Sequence, residues 1–139
     1  MNNKYLLDTN ILSELLKPQP DEQVVARMTV HQNHSVTATV VIQELVFGYQ
    51  CLPRSKRRLE IERYVNQIIS STMILPYTLE AAIWHGEERA RLNKLGKPAA
   101  FADGQIAAIA KVNNLILVTR NTSDFQHFAG LDLENWFLA

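Results

Sequence analysis

The sequence holds one cysteine, Cys51, so no disulfide can close within the chain. A lone thiol suits a reducing compartment, and a cytoplasmic location is expected. Net charge is also missing, because 14 Lys and Arg residues balance 14 Asp and Glu residues. A neutral chain exerts no global pull on nucleic acid or on a membrane surface, so a polyanionic partner has to be met by a local patch. No apolar run approaches the roughly 20 residues of a membrane span, so no membrane partner is expected. The N-terminus lacks the charged start, long apolar centre and small-residue cleavage site of a secretory signal, and Asp8 interrupts its only apolar stretch. Internal repeats, low-complexity tracts and linkers are absent. The histidines at 31, 34, 85 and 127 show no metal-ligand spacing and read as surface or core-edge residues. Trp84 and Trp136 read as packing residues.

What is present is an apolar fraction of 47% in 139 residues. That is enough to bury a real core in one domain, and a single domain over 1–139 is expected. Lys4-Tyr5-Leu6-Leu7 is a short apolar run that stops at Asp8-Thr9-Asn10. Ile11, Leu12, Leu15 and Leu16 then recur at helical spacing. Lys17-Pro18-Gln19-Pro20 closes that helix, and Asp21 opens a second with Val24, Val25 and Met28 facing inward. Ser35–Ala38 is β-prone. Thr39 caps a third helix through about Cys51, and Ser55 starts a fourth carrying Leu59, Ile61, Tyr64, Val65, Ile68 and Ile69. Met73–Leu75 is a short strand. Thr78 caps a fifth helix with Leu79, Ile83, Gly86 and Ala90 on one face, ended by Gly96-Lys97-Pro98. Asp103 opens a sixth helix, Leu115–Val118 is the clearest strand, Ser123–Phe125 forms a short helical turn, and Leu131–Leu133 is a last edge strand. Strands alternating with helices imply an α/β fold, a short central parallel sheet between helical layers.

Four polar loci stand out against this pattern. Asp8 ends a strand and starts a helix, so it is either an N-cap or part of a site. Glu44 lies in the stripe Val40, Phe47, Cys51, where an unpaired carboxylate is costly; a structural ion pair or an edge position would also account for it. Asp103 starts a helix beside Ala99, Ala100 and Ala102, again as a cap or as a ligand. The segment Thr119-Arg120-Asn121-Thr122-Ser123-Asp124 repeats the strand-then-polar pattern. A parallel sheet sets its strand ends side by side, so these loci converge on one rim. Several carboxylates a few Å apart cannot all ionise without protons or cations to offset them. Oxygen-only donors favour Mg²⁺ or Mn²⁺ over zinc, and such an ion assists displacement at phosphorus.

Leu7-Asp8-Thr9-Asn10, the Glu44 helix, Ala102-Asp103-Gly104-Gln105-Ile106-Ala107 and Val118-Thr119-Arg120-Asn121-Thr122-Ser123-Asp124-Phe125 together resemble the PIN domain. More closely, the chain looks like the VapC- and FitB-type toxins of type II toxin–antitoxin pairs. The resemblance covers the whole chain. It implies a PIN-like three-layer α/β/α domain, a Mg²⁺-dependent endoribonuclease that arrests growth by cutting RNA (transfer RNA among the candidates), and a VapB- or FitA-like antitoxin that blocks the site. It also implies that Asp8, Glu44 and Asp103 are the catalytic and metal-binding acids. Many relatives carry an acid where this chain has Asn121, so either Asn121 or Asp124 fills the fourth position. Asn10 and Thr119 are expected to support the site, and a homodimer is expected. On the same likeness the antitoxin inserts a basic side chain among the acids, with a helix in a groove near the third and fourth helices.

Basic residues supply the rim that such acids need. Arg54, Lys56, Arg57 and Arg58 cluster at a helix start, where positive charge opposes the macrodipole. Arg89, Arg91, Lys94 and Lys97 precede the Asp103 locus, and Arg120 lies within the last one. These are the candidate RNA phosphate contacts. A different class of function is a FitB-like subunit that acts mainly in a DNA-bound complex, touching DNA only through its antitoxin. An Asp-x-Asp phosphatase is disfavoured by Asn10.

Overall fold

The structure, a computed structural model, describes residues 2–138. Five short strands, β1 (Tyr5–Leu7), β2 (Ser35–Ala38), β3 (Ile74–Leu75), β4 (Ile116–Val118) and β5 (Leu133–Glu134), form one sheet in the order β3-β2-β1-β4-β5. Every pairing is parallel. The central strand β1 has no polar residue, as burial on both faces requires, and all three of its side chains are buried. The chain winds outward from β1 to β3, then returns to place β4 on the other side of β1. That reversal makes a topological switch point between the carboxyl ends of β1 and β4, where α/β sheets bind ligands. The Asp8 amide donates to the Val118 carbonyl (3.0 Å), so Asp8 stands one residue past the ladder, at that switch point.

Helices α1 (Thr9–Glu14), α2 (Glu22–Val30), α3 (Thr39–Gln50), α4 (Lys56–Ser71), α5 (Leu79–Lys94) and α6 (Phe101–Val112) flank the sheet. Asp21, Ser55 and Thr78 cap their helices through side-chain oxygens, each satisfying backbone N–H groups that lack a partner in the first turn. From Ile106 to Ala110 every residue of α6 is buried. Its alanines let it lie close to its neighbours while Ile106 and Ile109 fill the core. Trp136 is fully buried and meets Tyr5 edge-on at 5.2 Å, its indole N–H bonded to Glu134 Oε1 (3.0 Å). Among the described residues no helix is long and apolar enough to cross a membrane.

The structure corrects several expectations. Thr39 is the first residue of α3 rather than its cap; Ala38 holds the cap position and offers no side-chain bond. The α6 helix begins at Phe101, after Ala100, so Asp103 sits inside the first turn instead of opening it. The inward face of α5 is Ala81, His85, Glu88 and Leu92. The expected stripe points out, with Leu79 79% and Ile83 56% exposed. The reason is that two inward residues of α5 are polar with dedicated partners, which inverts the hydrophobic signal. His85 is one of them: its ring is buried, bonds Tyr77 Oη through Nδ1 (3.0 Å), and fills the space over Gly104. A Cβ at Gly104 would lie 2.1 Å from His85 Nε2, so only glycine fits beside Asp103. Val25, Leu59 and Ile69 are exposed at the margins of their helices rather than inward. β5 falls two residues later than expected, because Leu117 and Val118 pair with Leu133 and Glu134.

Candidate active site

Asp8 is both a cap and a site residue. Its Oδ1 accepts from the Thr9 amide (2.8 Å) and its Oδ2 from Thr119 Oγ1 (2.8 Å). Thr119 is completely buried. Its hydroxyl also receives Asn10 Nδ2 (3.2 Å) and the Asn121 amide (3.1 Å). Asn10 Oδ1 in turn accepts from the Arg120 amide (3.0 Å). The two loops at the switch point are therefore laced together, and Asp8 is held in one orientation by groups from both.

Glu44 approaches from α3 and accepts from Thr9 Oγ1. It is half-buried, with Phe47 and Cys51 exposed further along. Its stripe runs from core to surface, so Glu44 occupies an edge position rather than being embedded in apolar surface. Asp103 approaches from α6 and is also half-buried. Burial, followed by the charges of Asp8, Asp124 and Glu44, pushes its pKa up to about 6. Burial likewise raises Asp8, against its hydrogen bonds from Thr9 and Thr119, with Glu44 and Asp124 adding repulsion. The four carboxylates thus share one electrostatic field, and none is offset. Among the described residues the ion pairs are Lys17–Glu14, Arg57–Glu60 and Arg91–Glu88, all outside this cluster.

An all-oxygen, uncompensated donor set fits a hard divalent cation. The side chains do not form a closed cage as they stand: among the described residues no three His, Cys, Asp or Glu groups are arranged to hold an ion by themselves. That suits an ion such as Mg²⁺, which keeps several waters and uses one or two carboxylates plus substrate phosphate.

The basic residues divide. Arg91 grips Glu88 with two bonds of 2.8 Å and the His127 carbonyl with a third of 2.7 Å, so it is a structural clamp rather than a free phosphate contact. Arg57 donates to the Leu16 carbonyl and Arg58 to the Leu52 carbonyl and Gln50, which fastens loops to α4. Arg54, Lys56 and Lys94 are exposed. Arg89 lies over the exposed ring of Phe101 (5.1 Å), two residues before Asp103. Lys97 lines a cleft with Asp103 and Asp124. Arg120 is exposed and stacked over Phe137 (4.5 Å). Lys97 is the cation that shares a cleft with the acids, whereas the Arg120 charge is felt by Glu14.

Sequence reasoning missed two buried acids. Glu14 accepts from the Asp21 amide (2.8 Å) and pairs with Lys17 (2.8 Å), closing the Pro18-Gln19-Pro20 turn; Lys17 and that amide hold its carboxyl below the usual range. Glu88 is held low chiefly by Arg91 and also accepts from the Ala129 amide (2.7 Å). An acid followed by a base three residues later was the only signal for either. His127, read as a surface or core-edge residue, is exposed and lines the cleft with Asp103 and Asp124.

Asp124 and Asn121 are both exposed, and neither side chain makes a hydrogen bond among the described residues. The turn Thr122–Asp124 has no side-chain cap, so Asp124 is not needed for capping, whereas its charge is felt by Asp8 and Asp103. For the metal-dependent ribonuclease that the PIN-domain resemblance implies, Asp124→Asn should therefore lower cleavage about 10–100-fold, the usual effect of losing an outer partner of a metal site, with an unchanged thermal midpoint. Asn121→Ala should have the smaller effect on rate. Wild-type cleavage by the first variant and a large defect in the second would reverse the assignment.

Three comparisons bear on this geometry. The PIN domain family model matches residues 5–131. The chain is 32% identical over 133 residues to the tRNA(fMet)-specific endonuclease VapC of Shigella flexneri, covering 96% of this chain and 98% of that protein. It is 35% identical over 124 residues to Toxin FitB of Neisseria gonorrhoeae, covering 86% and 89%. Among solved structures, FitAcB from Neisseria gonorrhoeae superposes with a TM-score of 0.89 at 32% identity, over 97% of this chain and 99% of that one. FitAB bound to an IR36 DNA fragment gives 0.88 at the same identity, over 97% and 96%.

Proposed function

Because the chain belongs to the PIN-domain family, among the VapC- and FitB-type ribonuclease toxins of toxin–antitoxin pairs, we propose that it is a Mg²⁺-dependent endoribonuclease held in check by a VapB- or FitA-like antitoxin. The observation that carries this reading is the set of four mutually repelling, unpaired carboxylates, Asp8, Glu44, Asp103 and Asp124, at the β1/β4 switch point. Asp8, Glu44 and Asp103 would hold the ion, with Asp124 an outer partner; Mn²⁺ is a plausible chemical substitute. When bound, the cation supplies positive charge to the phosphodiester and makes water easier to ionise.

The chain's own residues do the rest. Thr119 and Asn10 fix the Asp8 carboxylate. Exposed cations around the site offset the repulsion between the acids and backbone phosphates. A carboxylate of the cluster that the ion leaves free takes the proton that water gives up as its oxygen attacks phosphorus. The leaving sugar oxygen departs with a proton from solvent. Transfer RNA is the first substrate to test, since the Shigella relative is named for one.

In the toxin–antitoxin pair, a guanidinium from the antitoxin would fit the acids bidentately and offset their charge as the cation would. A FitB-like role in a DNA-bound complex is favoured by the FitAB–DNA likeness, with DNA contact made by the antitoxin. Cleavage of RNA by the antitoxin-free protein separates the two readings. The purified chain should cut transfer RNA in Mg²⁺ and stop in EDTA, and sequencing of RNA 5′ ends after brief induction should name the target.

A ligand that binds only the folded state stabilises it, so millimolar Mg²⁺ should raise the thermal midpoint at pH 7.5. Asp103→Asn should lose most of that rise. Equal midpoints with and without Mg²⁺, in the presence of RNA as well as in its absence, would remove the metal from the proposal.

A further inference from the structure

Asp103 and Asp124, two of the four acids, also line a cleft of about 510 Å³. Lys97 and His127 stand among its walls, and the buried Leu92 and Phe128 give it an apolar floor. We propose that this cleft binds one nucleotide of a single-stranded RNA, next to the phosphate that the acids attack. The inference rests on the ribonuclease reading and adds to it a subsite and two residues that position substrate.

The size falls within the range of small-ligand pockets, roughly 300–1,000 Å³. The lining matches a nucleotide better than a basic peptide. A nucleotide brings a phosphate for Lys97, an apolar base face for the floor, and ring-edge N–H groups for the acids or His127. An arginine side chain would satisfy the acidic end but meet Lys97 unfavourably.

The cleft is also built to keep its shape. One wall is the end of α5 and the turn at Gly96, whose φ of 69° is open to glycine at no cost; the Lys97 amide donates to the Leu92 carbonyl (2.9 Å) and fixes that turn. The other wall is the segment around 123–128. The two are tied by the Glu88–Arg91 clamp: Glu88 Oε1 accepts from the Ala129 amide (2.7 Å), and Arg91 donates to the His127 carbonyl (2.7 Å). The Glu88 side chain is only 10% exposed while Arg91 is 40% exposed, so the acid end of the clamp is shielded from water, and Arg91 holds the His127 carbonyl against α5. A preformed subsite lowers the ordering cost of binding.

The test has two arms. In the first, ¹⁵N-labelled protein is titrated with each nucleoside 5′-monophosphate at millimolar concentration. Amide shifts confined to 96–99 and 123–128, lost in the Lys97→Ala, His127→Ala double variant, are expected. In the second, cleavage of transfer RNA by that variant should show a KM raised about tenfold with kcat within about twofold of wild type, and Lys97→Arg should restore most of the affinity. Both side chains are exposed, so a wild-type thermal midpoint is expected and confirms folding. An unchanged KM in a folded double variant, while Asp8→Asn is inactive, overturns the subsite and leaves the nuclease reading standing. Loss of antitoxin affinity with unchanged KM overturns it in favour of a protein-docking cleft. If the protein cuts no RNA, the nuclease reading fails by itself, and absence of the monophosphate shifts then overturns the subsite independently.

Discussion

Asp8→Asn is expected to lower RNA cleavage by at least about a hundredfold, the upper end of what losing an outer-shell partner costs a metal site, and to relieve growth arrest on induction. The variant separates two jobs that Asp8 performs at once. Asn keeps an oxygen for the Thr9 amide, so the cap on α1 survives. It loses the second carboxylate oxygen, and with it the charge that a cation needs. The Thr119 hydroxyl must then turn, because it already receives Asn10 Nδ2 and the Asn121 amide and now faces an amide donor in place of an acceptor. That local cost is offset by removal of a buried charge whose ionisation the fold disfavours. Thermal midpoint and cleavage rate should therefore part company, with the first near wild type and the second collapsed. Undiminished toxicity in a folded Asp8→Asn protein would leave capping as the whole role of Asp8.

In EDTA, Asp103→Asn should make the protein more stable at pH 7.5 and have almost no effect at about pH 3. The native carboxyl titrates near 6 against 3.8 for an unperturbed group, so the folded state binds this proton more tightly than the unfolded one. Well below pH 3.8 both states are protonated and the site costs almost nothing. Between pH 4 and 6 the unfolded chain ionises first, and above pH 6 the native state must ionise against burial and three neighbouring carboxylates, so the penalty is complete. At about 1.4 kcal/mol per pH unit the shift corresponds to ~3 kcal/mol, which solvent screening at a half-buried side chain reduces to about 1–2 kcal/mol. Asp8 shifts in the same direction, so wild-type stability in EDTA should itself rise as pH falls from 7.5 toward 5. Urea midpoints of wild type and variant at the two pH values measure this. An equal gap at both would assign the effect to packing instead of ionisation. The stability withheld in the metal-free protein is the usual accompaniment of a charged functional site.

The parts of this site that follow local rules were legible in the sequence. Asp8 and Thr119 each end a short apolar strand, and parallel pairing brings such ends together whatever lies between. Asp103 was placed correctly although its helix starts two residues earlier, because Ala100 leads into α6 without a polar cap and nothing in Ala99-Ala100-Phe101 marks the boundary. What could not be read depends on partners far along the chain. Glu88 looks like a surface acid until Ala129 is brought to it, and Arg91 looks like a free cation until Glu88 and the His127 carbonyl take up its guanidinium. The buried face of α5 was misread for the same reason, since hydrophobic periodicity has no way to count a satisfied histidine or carboxylate as interior.

The position of β1 in the middle of the sheet has a consequence for how the protein is made. Its neighbours are residues 35–38 on one side and 116–118 on the other, and the hydroxyl that orients Asp8 comes from Thr119, 111 positions later. While a ribosome is still working through the second half of the chain, β1, β2 and β3 can begin to associate, and Asp8 and Glu44 already exist. The Asp103 carboxylate, Thr119 and the Asn10–Arg120 lacing do not. Pairings of such long sequence separation also form late, after local structure. A growing polypeptide therefore carries half of its acids and none of the frame that aims them, so the arrangement proposed for catalysis is complete only once the segment after β4 has joined β1.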